Sequence, residues 1–137
     1  MHLGILDKYK HEPIRVACLA EGPGGFLNCL TDYRRNTQDN YFAITLKGSK
    51  DNLSNDWSFE RAAQYLKNVR QQGHRICLSY GVSGTGDLTD PNNIRHFSAF
   101  DLGGMKCQLV TADGGMDCCN DDEYTYQELV NCRLFFA

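Results

Sequence analysis

The sequence predicts an α/β fold in which a mostly parallel sheet is flanked by helices. Two observations support this prediction. Short apolar and β-branched runs alternate with segments of helical periodicity, and this strand–loop–helix order occurs four times along the 137 residues. A chain of this length suits one domain, and successive strand–helix–strand units favour right-handed crossovers between parallel strands.

Each predicted strand is a short apolar run that ends at a cluster of turn residues. The four strands are predicted at residues 14–20, 41–46, 75–80 and 106–112. The helices are predicted at residues 26–34, 58–72, 91–101 and, after a capping signal, up to residue 137. Residues 1–13 precede the first strand and are interpreted as an N-terminal extension of the single domain, which takes up the whole of 1–137.

Capping signals mark the third and fourth helices. Asp90 is suited to the N-cap and Pro91 to the first helical position. Thr125 and Glu128 form a capping-box pattern ahead of the last apolar segment. In the third helix three side chains are expected to face the core, namely Ile94, Phe97 and Phe100.

The charge balance limits how this chain can bind nucleic acid. The net charge is −3, whereas proteins that grip phosphates usually carry a basic excess or a basic stripe. If RNA is a substrate, much of its binding surface is expected to lie outside this chain. No apolar run approaches the length that crosses a bilayer, so no membrane contact is expected.

The seven cysteines indicate reduced thiols. Their number is odd and no secretory signal precedes them, which favours an intracellular location, in the cytoplasm or nucleus. Four of them lie in apolar runs and are expected in the core: Cys18, Cys29, Cys77 and Cys107. Cys118 and Cys119 are adjacent, which is not the spacing that clamps zinc, so no metal site is expected.

The loop after the first predicted strand is the strongest candidate for a ligand site. It comprises Glu21, Gly22, Pro23, Gly24, Gly25 and Phe26. Glycines there let the backbone approach a ligand, and the start of the next helix offers unpaired N–H groups to a carboxylate or phosphate. The alternative is a plain strand-to-helix turn. A G-x-G-x-x-G pattern is absent, so the usual dinucleotide fingerprint is not met.

Two further loops follow predicted strands. Residues 84–87 (GTGD) come after the third strand, and residues 111–115 (TADGG) come after the fourth. A single aspartate such as Asp113 is as often a helix N-cap as a catalytic group, but the glycines after it leave its carboxylate open space. The carboxyl ends of the first, third and fourth strands are expected to meet at one crevice, where doubly wound sheets bind their ligands.

Four motifs in this order resemble a known family. LAEGPGGF, YFAITLKG, GTGDLTDPNNI and TADGG, the last followed by QE, are similar to motifs of the FtsJ-like RNA 2′-O-ribose methyltransferases. The resemblance is to the viral and eukaryotic branch that methylates the first transcribed nucleotide of capped mRNA, and it covers roughly residues 14–137. It implies a Rossmann-like methyltransferase fold with S-adenosylmethionine as cofactor and capped mRNA as substrate, and it adds a viral factory or virion to the expected locations.

The resemblance also implies roles for single residues. The loop 21–26 would hold the methionyl part of the cofactor, and Asp87 would lie beside its adenosine. Leu46 and Leu88 would form apolar walls for the adenine ring. Asp113 matches the aspartate of the family's Lys-Asp-Lys-Glu tetrad, whose carboxylate favours the positive methyl donor and holds a neighbouring lysine.

The other tetrad members find no match. The second lysine and the glutamate belong after the last predicted helix, and Lys8 and Lys10 lie too close to the first loop to serve as the first lysine. The chain is therefore expected to be part of a larger enzyme, whose remainder or a partner chain covers the fourth strand. The main alternative is an inactive pseudo-methyltransferase that serves as a binding or structural module. An NAD-dependent oxidoreductase is a weaker one.

Overall fold

The computed structural model describes residues 4–49, 56–58, 60–112 and 114. Within these ranges the chain forms a four-stranded sheet with the order β3-β2-β1-β4, and every neighbouring pair is parallel. The strands are β1 Arg15–Leu19, β2 Asn40–Ile44, β3 Arg75–Ser79 and β4 Leu109–Ala112. The predicted α/β fold with a parallel sheet is confirmed.

In the part of the chain that the structure describes, three α-helices connect the strands. They are α1 Gly25–Arg34, α2 Glu60–Gln71 and α3 Pro91–His96, and α3 continues directly into a π-helical turn, Phe97–Asp101. The capping prediction for α3 is confirmed, because the Asp90 side chain accepts a hydrogen bond from the Asn92 N–H at 2.9 Å. The fourth predicted helix, with Thr125 and Glu128, lies outside the described residues.

Most predicted boundaries hold to within two residues. The largest difference is in β4, which begins at Leu109 and not at Lys106. Residues 106–108 (KCQ) were included in the predicted strand, but the partner strand β1 begins only at Arg15, and β1 residues pair with β4 residues from Leu109 onward.

Alternate side chains of the strands enter two core layers. On one face Val16, Cys18 and Tyr41 pack against α1 and α2 in a cluster that includes Leu27 and Leu66. The other face carries a smaller cluster of Ala17, Leu19, Ile44 and Phe97. This alternation is the period of two that a sheet imposes, and helices on both faces are the usual cover for a parallel sheet.

Two core predictions were wrong. Phe100 is 76% exposed, although helical spacing placed it inside. The helix widens to π geometry at Phe97, so Phe100 turns away from the core and stacks on His96. Cys77 is exposed as well, because β3 is the edge strand, whereas Cys18 is fully buried.

A buried charged group closes the amino end of the sheet, just before β1 and β2. The Asp39 carboxylate is fully buried and receives two bonds from the Arg34 guanidinium, at 2.8 and 2.9 Å. It also accepts bonds from the Ile14 N–H and the Tyr41 hydroxyl. We call these four residues the Asp39 network. The bond to Asp39 raises the pKa of Arg34, and burial raises the pKa of Tyr41.

The residues before β1 belong to the folded body. A 3-10 helix, Gly4–Tyr9, places Leu6 in the main core with 2% of its surface exposed. Arg34 donates to the carbonyl oxygens of Tyr9 and Glu12, each at 2.7 Å. No helix in the described part of the chain is long and apolar enough to span a membrane.

Candidate functional site

The loop between β1 and α1, residues 21–26, is fixed by a hydrogen bond of its buried Glu21 side chain. Glu21 is 3% exposed, and its Oε1 accepts a hydrogen bond from the Leu27 N–H at 2.8 Å. The carboxylate thereby caps the first turn of α1, where a negative charge is favoured. Gly24 serves as the N-cap with φ +120, a backbone conformation that favours glycine. The Oε1 atom of Glu21 is therefore bonded to α1.

The start of α1 offers donors to open space. Within the described ranges, the N–H groups of Gly25 and Phe26 have no acceptor, as is usual at the first turn of a helix. A Cβ added to Gly25 would meet no atom within 4 Å. This end of the helix can therefore accept an anionic group such as a carboxylate.

The loop after β3, residues 81–87, crosses the end of β2. Its Thr85 carbonyl oxygen accepts a bond from the Lys47 N–H at 2.7 Å. Gly86 lies so close to β2 that a Cβ on it would stand 1.6 Å from the Thr45 carbonyl oxygen, and its φ is +68. Only glycine fits at this position.

Thr45 joins the two loops. Its Oγ1 accepts a hydrogen bond from the Gly22 N–H at 2.9 Å, while its carbonyl oxygen touches Gly86. Thr45 is 3% exposed and directly follows β2. Although β2 separates β3 from β1 in the sheet, the loops that follow β1 and β3 thus meet over the end of β2.

One of the two oxygens of the Asp87 carboxylate is hydrogen-bonded within its own turn. Its Oδ1 accepts bonds from the Thr89 N–H at 2.8 Å and from the Thr89 hydroxyl at 2.7 Å. Its other oxygen makes no hydrogen bond to any residue that the structure describes, and the side chain is partly exposed. One carboxylate oxygen is therefore available to a hydroxyl or amine donor.

A cavity of about 700 Å³ lies between the β1–β4 face and the helix that follows β3. Two of the predicted cofactor residues, Phe26 and Leu88, line it, together with strand residues such as Leu19 and Ala112. Its wall is mostly apolar and also includes Met105. Glu21, Gly22, Pro23, Gly24, Gly25, Leu46 and Asp87 are not part of its lining.

Asp56 ties the segment after β2 to the end of β3. It is 2% exposed and accepts bonds from the Gly48 N–H, the Ser58 N–H and the Tyr80 hydroxyl. Burial alone raises the pKa of Asp56, but these bonds favour the charged form and lower it to about 2. Burial and the bond to Asp56 raise the pKa of Tyr80 to about 12.

Leu46 and Asp113, the two remaining predicted site residues, follow β2 and β4 in the sequence. Leu46 is 58% exposed at the end of β2, where an apolar ligand surface could cover it. Asp113 lies outside the described residues, and so does Gly115, while Gly114 is partly buried. Among the residues that the structure describes, no three histidine, cysteine, aspartate or glutamate side chains form a group that could hold a metal ion.

No model of a known protein family matches the chain, but curated proteins do. The chain is 29% identical over 119 residues to cap-specific mRNA (nucleoside-2′-O-)-methyltransferase 1 of Danio rerio, which covers 85% of this chain and 13% of that protein. The protein of the same description from Homo sapiens is 26% identical over 132 residues, 92% of this chain and 15% of that protein. The one from Dictyostelium discoideum is 28% identical over 99 residues, 68% of this chain and 12% of that protein.

The chain is thus similar, at 26% to 29% identity, to proteins described as cap-specific mRNA (nucleoside-2′-O-)-methyltransferase 1. The chain spans 12% to 15% of the length of these curated relatives. Similarity to these proteins agrees with the parallel α/β sheet, which is the architecture that a Rossmann-like methyltransferase requires.

The structure brings together two of the three predicted loops, and it adds residues that sequence reasoning missed. Thr45 and Asn93 both lie in motifs that carried the resemblance, yet neither was singled out. Thr45 stands at a strand end, and Asn93 is fully buried in a helix that faces the second loop. A buried polar residue next to a glycine loop is a signal that could have found Asn93, because such a side chain must find hydrogen-bond partners.

Proposed function

We propose that this chain carries the S-adenosylmethionine-binding part of an FtsJ-like RNA 2′-O-ribose methyltransferase that acts on the cap-proximal nucleotide of mRNA. The observation that carries the proposal is the meeting of two glycine loops at Thr45, over the carboxyl end of a parallel sheet. Similarity to cap-specific methyltransferases supports the same conclusion. Ligands of doubly wound sheets bind at such an end.

The residues at this end suit the two halves of the cofactor. The free N–H groups of Gly25 and Phe26 suit the methionyl carboxylate, and the open space at Gly25 leaves room for it. The unbonded Asp87 oxygen suits a ribose hydroxyl or an adenine amine. Leu46 and Leu88 supply apolar surface for the adenine ring. When bound, S-adenosylmethionine supplies an electrophilic methyl group.

For the transfer itself, we propose Asp113 as the catalytic carboxylate. It follows β4 directly, and β4 is the neighbour of β1 in the sheet. A carboxylate there would favour the positively charged methyl donor by simple charge attraction. Because the net charge of the chain is −3, we propose that the RNA is held mostly by surfaces beyond these 137 residues.

Isothermal titration calorimetry of the purified chain tests cofactor binding. S-adenosylhomocysteine is expected to bind with a measurable Kd, and NAD is expected to give no heat under the same conditions. Binding of NAD in preference to S-adenosylhomocysteine would overturn the proposal in favour of an oxidoreductase. Absence of any S-adenosylhomocysteine binding would overturn it as well.

Methyl transfer from radiolabelled S-adenosylmethionine to capped RNA tests the activity. For a protein that contains this chain together with the surfaces that hold the RNA, label in the ribose of the first nucleotide is the expected result, and the variant Asp113→Ala is expected to abolish it. Cofactor binding without any transfer would contradict the catalytic part and would fit a pseudo-methyltransferase.

A further inference from the structure

One buried amide fastens the second glycine loop to the helix beneath it. Asn93, in the first turn of α3, has 0% of its surface exposed. Its Nδ2 donates to the Asp87 carbonyl oxygen at 2.8 Å. Its Oδ1 accepts bonds from the Ser83 N–H at 3.0 Å and from the Ser83 hydroxyl at 2.9 Å. A single planar side chain therefore joins two points of the loop that lie four residues apart.

The loop is shaped around this amide. A Cβ added to Gly81 would lie 2.4 Å from Asn93 Oδ1, and the φ of Gly81 is +71. Only a glycine at this position leaves room for the Asn93 side chain. Both oxygen and nitrogen of the amide are used, so neither can be removed without leaving a backbone group of the loop unpaired.

We propose that Asn93 is a positioning residue for the adenosine half of the cofactor site. The Asp87 carboxylate is oriented on one side by Thr89 and on the other by its own main chain, which Asn93 holds. The direction of the remaining carboxylate oxygen is therefore set by Thr89 and, through the main chain, by the Asn93 amide. This inference rests on the proposed function, because it assumes that Asp87 contacts adenosine.

Asn93→Asp is the sharpest variant, because the two side chains have nearly the same shape. The new carboxylate still accepts from Ser83, but it cannot donate to the Asp87 carbonyl and repels that oxygen. The main chain at Asp87 is then expected to move away from Asn93, and the Asp87 carboxylate with it.

Two ligands separate the halves of the site. S-adenosylhomocysteine carries both adenosine and amino-acid parts, whereas 5′-methylthioadenosine lacks the amino-acid part. Asn93→Asp is expected to weaken both ligands by about tenfold or more in calorimetry, equivalent to about 1.4 kcal/mol. The ratio of the two Kd values is expected to stay unchanged, because only the shared adenosine half is affected.

Asp39→Asn is the matched control for a loss of stability. It alters a buried polar residue at the opposite end of the sheet by an equally small change of shape. Measured well below the melting temperatures of both variants, Asp39→Asn is expected to bind both ligands as the wild type does. Equal weakening of binding in Asn93→Asp and Asp39→Asn would show a merely structural effect and overturn the inference.

The outcomes separate the two proposals. If the wild type binds both ligands and Asn93→Asp binds them equally well, the role of Asn93 is refuted and the proposed function stands. If the wild type binds neither ligand, both are refuted. Should Asn93→Asp fail to fold, Ser83→Ala takes its place. It removes one of the bonds that orient the amide and is expected to weaken both ligands about threefold. Unchanged affinity in that variant would overturn the inference.

Discussion

The two ends of the sheet are built on opposite principles. At the amino end, side chains close the structure: Asp39 is fully buried, and its carboxylate accepts hydrogen bonds from Arg34, the Ile14 N–H and the Tyr41 hydroxyl. At the carboxyl end, backbone dominates, with glycines at positive φ in the loop 81–87 and N–H groups at the start of α1 that have no acceptor among the described residues. The difference separates the end of the sheet that stabilises the fold from the end at which we propose that the cofactor binds.

The first test of this comparison disrupts the Asp39 network at the amino end of the sheet. Asp39→Asn removes the charge that balances Arg34, and an uncompensated buried guanidinium is expected to cost about 3 kcal/mol of the free energy of unfolding. Urea denaturation followed by circular dichroism measures this loss. A loss below about 1 kcal/mol would mean that water reaches Arg34 and that the amino end is not closed.

A second change strains the open end. In Gly86→Ala, a methyl group would collide with the Thr45 carbonyl oxygen in a strained backbone conformation. We expect a loss of about 2 kcal/mol in stability and a loss of S-adenosylhomocysteine binding in calorimetry.

Gly84→Ala is the matched control for that change. Gly84 has a similar φ of +73, but a Cβ there meets no atom within 4 Å. It is expected to cost only about 1 kcal/mol and to retain binding. Equal loss of binding in both variants would show that loop strain, and not the contact with Thr45, is what matters.

A third prediction concerns Asp56, a buried and hydrogen-bonded carboxylate near the carboxyl end of the sheet. The folded-state pKa of Asp56 is about 2, below the ordinary value of an aspartate. The ionised carboxylate therefore contributes fully to the stability of the fold above about pH 4, and this contribution is lost as the pH falls through about 2. At pH 6 we expect the free energy of unfolding of the wild type to exceed that of Asp56→Asn by about 2 kcal/mol. Denaturation at a series of pH values should show this difference shrinking in acid, and a constant difference would contradict the assignment.

The smallest expected effect tests the junction of the loops. Thr45→Val keeps the shape but removes the acceptor of the Gly22 N–H, at a cost of about 1 kcal/mol in stability. S-adenosylhomocysteine is expected to bind about fivefold more weakly, and 5′-methylthioadenosine is expected to bind as before. Thr45→Ser keeps the hydroxyl and should restore the affinity. If it does not, the methyl group of Thr45 and not its hydrogen bond holds the loop.

The fold was predictable from the sequence because local patterns determine it. Apolar runs gave all four strands, and Asp90 with Pro91 correctly marked the start of α3. Phe100 was wrongly predicted to face the core, because a change from α to π geometry rotates side chains and leaves no clear sign in the spacing of apolar residues. Cys77 was misplaced because a sequence run does not tell which strand lies at the edge.

The site was predictable only where it consists of backbone. Glycines in the loops 21–26 and 81–87 are visible as letters, and their positions at strand ends follow from the order of elements. The role of Thr45 depends on two loops whose contacts lie 23 and 41 residues away in the chain, which only the folded sheet brings together. The Asp39 network is just as distant in sequence, since Asp39 binds Ile14 across 25 residues.

The burial of Leu6 changes where a minimal domain can begin. A version of the protein that starts at Ile14 would leave a hole where Leu6 sits among core residues. It would also strip Arg34 of the two carbonyl acceptors that Tyr9 and Glu12 provide, and a buried guanidinium has no other way to replace them than to admit water. Any shortened protein made for binding studies should therefore keep the residues from Gly4 onward, although the first predicted strand starts ten positions later.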